Sequence, residues 1–370
     1  MEEEQQQRLR HAIIGVGAGI LNGHRPALAL STVDLVAAAD INTTSGRQRA
    51  NELSCAFYED YRQMLAETQP DVVVILTPPF LHASMTRESL QAGCHVLVEK
   101  PMAIQVAEAD EMLETARRCN RLLGVVFQQR YRPEIVAARK LLQEGFLGQI
   151  QRVELTAVWT RPTFYYHMAP WRATWSGEGG GIVTNQASHN LDLLCHLLGS
   201  PRRVVAWTRN LLHHIETEDT VQAMLEWPNG ALGMIHISAA EADESERLKI
   251  IGTRGSLEIG RGKLLVQTLD LDIHEYAATS RNPYAPLPRH PHAIALEAGK
   301  GDHVAVYRSF HDAILHGNTD YIDGAQGRRE LELANALIYS SYQRREVELP
   351  LDRQRYASLL AGLQARSSYP

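Results

Sequence analysis

Lys100 directly follows an apolar run, a position in which a lysine needs an explanation. The preceding residues read CHVLVE, and their apolar, β-branched character is typical of a buried strand. Removing an ammonium from water is costly unless the charge is paired or put to use. We therefore expect Lys100 to have a partner or a chemical role. The alternative is a lysine that extends from the strand end into solvent.

A glycine-rich turn near the N-terminus has the residues of a dinucleotide-binding loop. The sequence GVGAGI supplies Gly15 and Gly17, which let a backbone approach a pyrophosphate at a helix N-terminus. Ile20 stands where the third glycine of the pattern belongs, directly after Gly19. Asp40 ends the next predicted strand about 20 residues later, where a ribose-binding acid is expected. The alternative is an ordinary strand–helix turn.

The segment GEGGGIVTNQASHNLDLLCHLLG combines a glycine triplet with a helical pattern. Its apolar residues fall on one helical stripe, which is typical of a core-facing side. Asn185, His189, Asp192 and His196 fall on the opposite stripe. The residues alone leave a catalytic face as one possibility, since Gly179–Gly181 permit close approach of cofactor and chain. The alternative is a solvated polar face.

Four aromatic residues and an arginine cluster in the sequence RPTFYYHMAPWRATW. Tyr165, Tyr166, Trp171 and Trp175 can stack on the C–H faces of a sugar, whereas Arg172 can fork to hydroxyls or to a cofactor. We expect two of the four aromatics to serve core packing instead.

Composition narrows the class of protein. The chain has 370 residues, 44% hydrophobic and 22% charged, which fits two domains of a globular protein. A net charge of −6 argues against a nucleic-acid partner. No apolar stretch is long enough for a membrane span, and the N-terminus lacks the pattern of a signal peptide. Four single cysteines suit a reducing compartment, so we expect a cytoplasmic protein.

The pattern of elements predicts an α/β protein with two parts. Short apolar strands at 11–17, 34–40, 71–76, 95–99 and 122–127 alternate with helical patterns, which predicts a doubly wound parallel sheet of the Rossmann type over 1–125. From about residue 150, period-two alternation predicts strands of a large, open, mostly antiparallel sheet. We assign 126–370 to a C-terminal α+β domain for substrate binding and oligomerisation.

The combination of motifs resembles the Gfo/Idh/MocA oxidoreductases, the family of glucose–fructose oxidoreductase and inositol dehydrogenases. The family marks are TPPFLH, then AGCHV, then EKP at 99–101. The resemblance continues through FQQRYRP, EGFLGQI, the glycine triplet and EVELPL, so it covers nearly the whole chain. The patterns WRATW, EGGG and NQASH resemble a subgroup of sugar dehydrogenase-like members.

The resemblance implies a role for each matched residue. Lys100 would lie beside the nicotinamide and the reacting carbon, His189 would be the acid/base residue, and Asp192 would contact substrate. Asn185 stands where many members have an aspartate paired to the histidine, which puts a strict Asp–His pair in doubt. Implied cofactor contacts are Gly15, Gly17, Gly19, Ile20, Asp40, Thr77, Pro78, His82, Glu99, Lys100, Gln128 and Arg172. Implied substrate contacts are Lys100, Tyr165, Tyr166, Arg172, Asn185, His189 and Asp192.

The expected activity is hydride transfer between NAD and a hydroxyl or keto carbon of a sugar, sugar derivative or cyclic polyol. NADP is less favoured, because the Asp40 carboxylate would repel a 2′-phosphate, although Arg47 and Arg49 weaken that preference. We expect no catalytic metal and a homodimer or homotetramer. A glycosidase that oxidises its substrate transiently with NAD and a non-catalytic NAD(P)-sensing regulator are the alternatives.

Overall fold

The computed structural model describes residues 7–242 and 245–368. The strands are β1 (Leu9–Ile14), β2 (Val33–Ala39), β3 (Ala56–Tyr58), β4 (Val72–Ile75), β5 (His95–Val98), β6 (Leu123–Val125), β7 (Ile150–Val158), β8 (Arg203–Arg209), β9 (Thr220–Glu226), β10 (Leu232–Ser238), β11 (Glu246–Gly252), β12 (Gly255–Gly260), β13 (Lys263–Leu269), β14 (Arg289–His292) and β15 (Val347–Glu348). The helices are α1 (Leu21–Leu28), α2 (Thr43–Glu52), α3 (Tyr61–Thr68), α4 (Pro79–Gln91), α5 (Val106–Cys119), α6 (Pro133–Gln143), α7 (Thr163–His167), α8 (Trp175–Glu178), α9 (Ser188–Leu198), α10 (Ile273–Thr279), α11 (His303–His316), α12 (Gly324–Gln343) and α13 (Arg353–Gln364).

The first compact unit contains a six-stranded parallel sheet. It comprises the chain up to Gln128, with residues 177–179 and 302–331. The strand order is β3-β2-β1-β4-β5-β6, and every pairing is parallel. Strands β4 and β5 are almost entirely buried, which explains their unbroken apolar sequences. The predicted Rossmann-type sheet is confirmed.

A late segment of the chain completes this first unit. Helix α11 packs against α1, and Val125 donates its backbone N–H to the carbonyl of Ile322 at 3.0 Å. Tyr307 and Phe310 of α11 are buried. No sequence pattern indicates that residues after 300 belong to this unit, and the domain boundary after residue 125 stays a prediction.

The second compact unit is built on a nine-stranded sheet. Its order is β14-β13-β12-β11-β7-β10-β9-β8-β15. Strands β7 and β10 pair in parallel, whereas the other neighbours are antiparallel, so the sheet is mixed and mostly antiparallel. Alternate residues of β9 and β10, such as Leu225 and Ile235, are buried. The predicted α/β fold class is confirmed.

The opposite residues of these strands form an exposed apolar face. Met224 of β9 pairs with Met234 of β10 and Val205 of β8, and the two methionines are 47% and 50% exposed. Trp207 and Leu232 are also exposed. A soluble protein rarely exposes a large contiguous apolar patch without a partner. Among the described residues, no helix is long and apolar enough to cross a membrane.

Candidate active site

The glycine turn and Asp40 lie together in the first unit. Gly15 has a φ of 88°, and a Cβ there would lie 2.9 Å from Cγ2 of Thr77. The backbone N–H of Gly17 donates to Oδ2 of Asp40 at 2.8 Å, and Asn42 N–H donates to Oδ1 at 2.8 Å. The turn thus combines a close backbone approach with a fixed carboxylate, and these residues fit a dinucleotide.

These residues share one edge of the parallel sheet. Gly15 follows β1, Asp40 follows β2, Thr77 comes just after β4, and Glu99 follows β5. Strand β2 pairs with one side of β1, and β4 pairs with the other side, so the strand order reverses at β1. Ligands of open α/β sheets bind outside the carboxyl ends of the strands where the strand order reverses. Gly15, Asp40 and Thr77 therefore lie at the ends of the three strands that meet at that reversal.

The two arginines that weaken the predicted preference for NAD both have acidic partners. Arg47 lies 3.7 Å from Glu59 and stacks over the ring of Phe57 at 4.9 Å. Arg49 forms an ion pair with Glu52 at 3.2 Å. Glu52 lies on α2, whereas Phe57 lies on β3 and Glu59 directly follows it, so each arginine has a partner other than Asp40.

His82 links the two loops that follow β4 and β5. Its Nε2 lies 2.8 Å from the carbonyl of Thr77, and its Nδ1 lies 2.8 Å from the carbonyl of Pro101. The ring is fully buried, and this burial lowers the pKa of His82. A neutral imidazole has one N–H, so it can donate to one of the two carbonyls at a time. Pro78 precedes α4 as its N-cap residue.

Glu99 is buried at the centre of a group that the sequence did not reveal. Oε1 of Glu99 lies 2.9 Å from Nε2 of His24 and 3.5 Å from Nε2 of His303. Tyr307 bonds the other nitrogen of His24 at 2.9 Å. Lys100 donates its backbone N–H to Oε2 of Glu99 at 3.0 Å. His24, Glu99 and His303 are also the one trio of potential metal ligands among the described residues.

The glycine triplet serves close packing of the chain. A Cβ on Gly179 would lie 2.7 Å from Cβ of Ile104. A Cβ on Gly181 would lie 2.1 Å from the carbonyl oxygen of Glu218. The Glu218 carboxylate also accepts the backbone N–H of Gly181 at 2.8 Å and that of Val183 at 3.2 Å. The described neighbours thus explain these two glycines by chain packing.

Asn185 does not lie on the helix that carries His189, contrary to the predicted stripe. Helix α9 begins at Ser188 with Ala187 as N-cap. In the turns before this helix, the backbone N–H of Asn185 donates to the carbonyl of Gly181. The backbone N–H of Ala187 donates to the carbonyl of Ile182, five residues earlier, which is a wider turn than that of an α-helix. The glycine-rich start permits this irregular backbone, so the expected helical spacing from Asn185 to His189 is wrong. His189 itself lies in the first turn of α9 and is half-buried.

Asp192 forms a buried ion pair with Arg130, a residue that the sequence analysis missed. Nε of Arg130 donates to Oδ2 of Asp192 at 2.8 Å, and a second bond joins the guanidinium to Oδ1. The two side chains are 5% and 1% exposed. Although burial lowers the pKa of Arg130, the charge and hydrogen bonds of Asp192 raise it overall. Substrate contact by Asp192 stays a prediction.

The rest of the predicted polar stripe is only partly accessible to solvent. Burial, followed by the charges of Arg130 and Arg139, lowers the pKa of His196 to about 3. His196 is therefore neutral at physiological pH. With Asp192 buried and His189 half-buried, the alternative of a fully solvated face does not fit α9.

The aromatic segment divides into buried and accessible residues. Tyr166 and Trp175 are buried, in line with the expectation that two of the four aromatics serve core packing, and substrate contact by Tyr166 stays a prediction. Trp171 and Tyr165 are partly exposed, and the guanidinium of Arg172 lies over both rings, 4.7 Å and 4.8 Å from their centres. A cleft of about 1010 Å³ in the second unit is lined in part by this segment.

The remaining predicted cofactor residues belong to the first unit. Gly19 has open space where a Cβ would be, and Ile20 is 41% exposed as the N-cap residue of α1. Gln128 begins a short 3-10 turn that ends at Tyr131. Nothing in the sequence pattern around Gln128 connects Arg130 to Asp192, which lies 62 residues later.

The parallel sheet, its glycine turn and Asp40 define a Rossmann dinucleotide-binding protein with a second, sheet-based unit. Residues 9–127 match the oxidoreductase family with an NAD-binding Rossmann fold, and residues 135–258 match the GFO/IDH/MocA C-terminal domain. The chain therefore belongs to the Gfo/Idh/MocA oxidoreductase family.

Similar proteins include several that are named as dehydrogenases. D-apiose dehydrogenase of Paraburkholderia graminis is 25% identical over 354 residues, which cover 93% of this chain and 90% of the relative. D-glucoside 3-dehydrogenase of Escherichia coli is 29% identical over 59% of this chain and 62% of the relative. The WlbA dehydrogenase from Bordetella pertussis, solved with NADH and UDP-GlcNAcA, superimposes with a TM-score of 0.80 at 27% identity and covers 94% of this chain and 100% of that chain.

Proposed function

We propose that the protein is an NAD-dependent dehydrogenase or reductase that acts on a CH–OH group of a sugar, sugar derivative or cyclic polyol. The observation that carries this proposal is the placement of Gly15, Asp40, Thr77 and the Glu99–Lys100 pair at one edge of the parallel sheet. Membership of an NAD-binding oxidoreductase family supports the cofactor.

Each matched residue has a role in this chemistry. Bound NAD supplies the hydride acceptor or donor. Lys100 orients and polarises the reacting oxygen through its ammonium. His189 takes the hydroxyl proton during oxidation and returns it during reduction, as a general base or acid near neutral pH. Gly15 and Gly17 hold the pyrophosphate side of the cofactor, and Asp40 holds the adenosine ribose.

Preference for NAD over NADP rests on Asp40. Both of its carboxylate oxygens accept backbone N–H groups, so the negative charge is fixed next to the glycine turn. Arg47 and Arg49 pair with Glu59 and Glu52, and this pairing opposes their use on a 2′-phosphate.

The substrate class is supported by the second unit and by the relatives. Arg172 lines the large open cleft, and its guanidinium lies over the partly exposed rings of Tyr165 and Trp171, an aromatic–cationic group that suits the C–H faces and hydroxyls of a sugar. Two relatives are named as dehydrogenases of D-apiose and of D-glucosides. These names support a sugar and leave the particular sugar open.

A thermal-shift screen with NAD present tests the substrate class. A ligand that binds the folded protein raises its apparent stability, so sugars, inositols and glycosides can be compared in parallel. We expect stabilisation by at least one member of this panel in wild type. Loss of that shift in Trp171→Ala, with the NAD-induced shift retained, would place the ligand at the aromatic segment. No shift with any member would contradict the proposed class.

We further propose a cytoplasmic homodimer or homotetramer that buries the exposed apolar face. Met224, Met234 and Trp207 lie on this face, and all four cysteines are free thiols, as expected in a reducing compartment. Sedimentation at micromolar concentration should show an oligomer, and Met224→Glu with Met234→Glu should dissociate it. A wild-type monomer would contradict this proposal.

A further inference from the structure

The open cleft of the second unit has more basic than acidic side chains in its lining. The lining residues come from three stretches of the chain, 166–174, 210–216 and 366–368. Among those that the structure describes, Glu216 is the one acid, whereas the accessible basic side chains are His167, Arg172, His214 and Arg366. Because the whole chain carries a net charge of −6, this local surplus of basic residues does not follow from composition.

The carboxylate of Glu216 is saturated with hydrogen bonds. Oε2 accepts the backbone N–H of Trp175 at 3.1 Å and the hydroxyl of Ser367 at 2.7 Å. Oε1 accepts both the backbone N–H and the hydroxyl of Ser368. The two oxygens of a carboxylate have about four acceptor sites in total, so these four donors fill them. Glu216 therefore ties residues 367 and 368 to the start of α8, and this leaves no acceptor site for the arginines of the cleft.

Two aromatic rings orient the guanidinium of Arg172. It lies 4.8 Å from the ring centre of Tyr165 and 4.7 Å from that of Trp171, and Nη1 donates to the Tyr165 hydroxyl at 3.1 Å. Arg161 lies 5.5 Å from the centre of the same tyrosine ring, which adds a second guanidinium. Stacking engages the flat face of a guanidinium, whereas its N–H donors lie along the edge and match the two oxygens of a carboxylate or phosphate. The arrangement therefore suits recognition of an anion.

The backbone beside Arg172 has an unusual conformation. Ala173 has a φ of 55° and is 3% exposed, although the left-handed region is uncommon for residues other than glycine. The hydroxyl of Thr174 donates to the carbonyl of Trp171 at 2.8 Å, across the same turn. Strained conformations of this kind persist where the surrounding structure fixes them, and they are concentrated at binding and catalytic sites. The turn thus fixes the backbone that carries Arg172 at the cleft.

The cleft has room for more than a sugar ring. Its volume of about 1010 Å³ lies at the upper end of the range of about 300–1,000 Å³ that is usual for sites of drug-sized ligands. A monosaccharide is smaller than such ligands, so a substituent can be accommodated beside it.

We propose that this cleft binds an anionic group of the substrate, a carboxylate or a phosphate that the sugar carries. Arg172 and Arg366 supply positive charge and paired N–H donors, and the exposed imidazoles of His167 and His214 supply further donors. The inference rests on the proposed function, in which the substrate is a sugar or sugar derivative, and it narrows this class to anionic derivatives. A neutral sugar gives the arginines no charged acceptor, so it binds more weakly.

The first test compares neutral and anionic ligands by calorimetry, with NAD saturating so that the glycine turn is occupied. The set contains glucose, glucuronate and glucose 1-phosphate, the corresponding galactose compounds, and acetate and inorganic phosphate as probes without a sugar. We expect at least one anion to bind about tenfold or more tightly than the neutral sugars, the effect of one or two charge-assisted hydrogen bonds. Preference for a uronate identifies a carboxylate, and preference for a 1-phosphate identifies a phosphate. If no anion binds more tightly than the neutral sugars, the proposal is wrong.

The second test locates the anion. Arg366→Gln removes a cation from the cleft, Arg366→Lys keeps the charge, and Arg281→Gln removes an exposed cation of the same unit that does not line the cleft. For the anion that binds best, we expect a Kd about fivefold or more higher in Arg366→Gln, most of the affinity retained in Arg366→Lys, and no change in Arg281→Gln. Equal losses in the two glutamine variants would indicate a general effect of charge, and no loss in Arg366→Gln would place the anion elsewhere. Either result contradicts the proposal.

The third test separates this inference from the proposed function. NADH formation is followed with the same set of sugars at low salt and at an ionic strength of about 0.5 M, which screens charge interactions at exposed sites. We expect a higher kcat/KM for an anionic sugar than for its neutral parent, and a smaller difference at high salt. Oxidation of neutral and anionic sugars with equal kcat/KM would overturn the inference and leave the dehydrogenase activity intact. Arg366-dependent binding of an anion without NADH formation from any sugar would uphold the anion site and count against the proposed function.

Discussion

The guanidinium of Arg130 and the carboxylate of Asp192 form a two-point ion pair inside the second unit, with both side chains almost completely buried. Arg130 lies in the 3-10 turn before α6, and Asp192 lies one turn after His189 on α9. The pair therefore anchors the helix that carries the proposed acid/base residue. This gives Asp192 a positional role in addition to the predicted substrate contact.

Asp192→Asn should destabilise the protein strongly. Removing one partner leaves the Arg130 charge buried without compensation, at a cost of about 3–5 kcal/mol in unfolding free energy. Glu111→Gln is the control, because it removes the exposed Arg87–Glu111 pair and should cost less than about 1 kcal/mol. Denaturant unfolding measures both values, and a loss in Asp192→Asn no larger than in the control would refute the anchoring role.

Asp40→Ser should reduce the discrimination between NAD and NADP. The wild-type carboxylate is held by two backbone N–H groups and would repel a 2′-phosphate, so we expect tighter binding of NAD. The variant should bind NAD more weakly and NADP more tightly. Calorimetric Kd values for both cofactors measure the change. A wild-type preference of tenfold or more for NADP would show that the assignment to NAD is wrong.

His189→Ala should lower kcat/KM by on the order of 10²–10⁴-fold, the usual contribution of a positioned acid or base. Oxidation should rise with pH through the histidine range, because the base must be neutral. Asn185→Asp should shift this limb to higher pH only if its side chain reaches the imidazole. If His189→Ala keeps near-normal activity and the pH profile of oxidation has no histidine limb, another residue must be the proton acceptor.

Folding stability should fall as the pH is lowered from about 6.5. Burial lowers the pKa of His11 to about 4 and that of His311 to about 3, and Nε2 atoms of the two rings lie 3.0 Å apart. As the pH falls, the unfolded chain protonates these two histidines before the folded protein does, so their contribution to stability is complete only above the unfolded pKa of about 6.5. Below that pH the free energy of unfolding falls by about 1.4 kcal/mol per pH unit for each histidine, until the pH reaches the pKa of the folded protein.

His11→Phe should flatten this pH dependence, whatever its effect at pH 7, because one titrating group is removed. His316→Gln at the exposed end of α11 is the control and should leave the slope unchanged. Denaturant unfolding between pH 4.5 and 7 measures the slope. Equal slopes in wild type and His11→Phe would show that His11 does not titrate in this range.

The features that could be predicted from sequence are those set by local pattern. Gly15, Gly17 and Asp40 lie within one strand–helix–strand unit, β1–α1–β2, so their proximity follows from the parallel pairing of its two strands. The apolar strands of the first unit and the alternating strands of the second are equally local signals. Strand β3, which has three residues, was missed because so short a segment carries little periodicity.

The unpredicted features depend on contacts between distant segments. His24 meets Glu99 across 75 residues, and Arg130 meets Asp192 across 62, with no motif spacing that connects either pair. Helix α11 joins the first unit through packing and through hydrogen bonds to residues far away in sequence, such as that of Tyr307 with His24, which single-sequence periodicity does not encode. The misassigned helix around Asn185 has another cause, since the Gly179–Gly181 triplet allows irregular backbone where a polar stripe suggests a continuous helix.

The near-ultraviolet absorbance of NADH, followed with NAD and the sugars found by thermal shift, tests the central claim most directly. We predict net NADH accumulation with wild type. In Lys100→Met, we predict less than a tenth of the wild-type kcat, with NAD binding changed no more than a few-fold. Cleavage of a glycoside without net NADH would indicate the glycosidase instead. Absence of any turnover by a wild-type protein that binds both NAD and a sugar would contradict the assignment as a dehydrogenase.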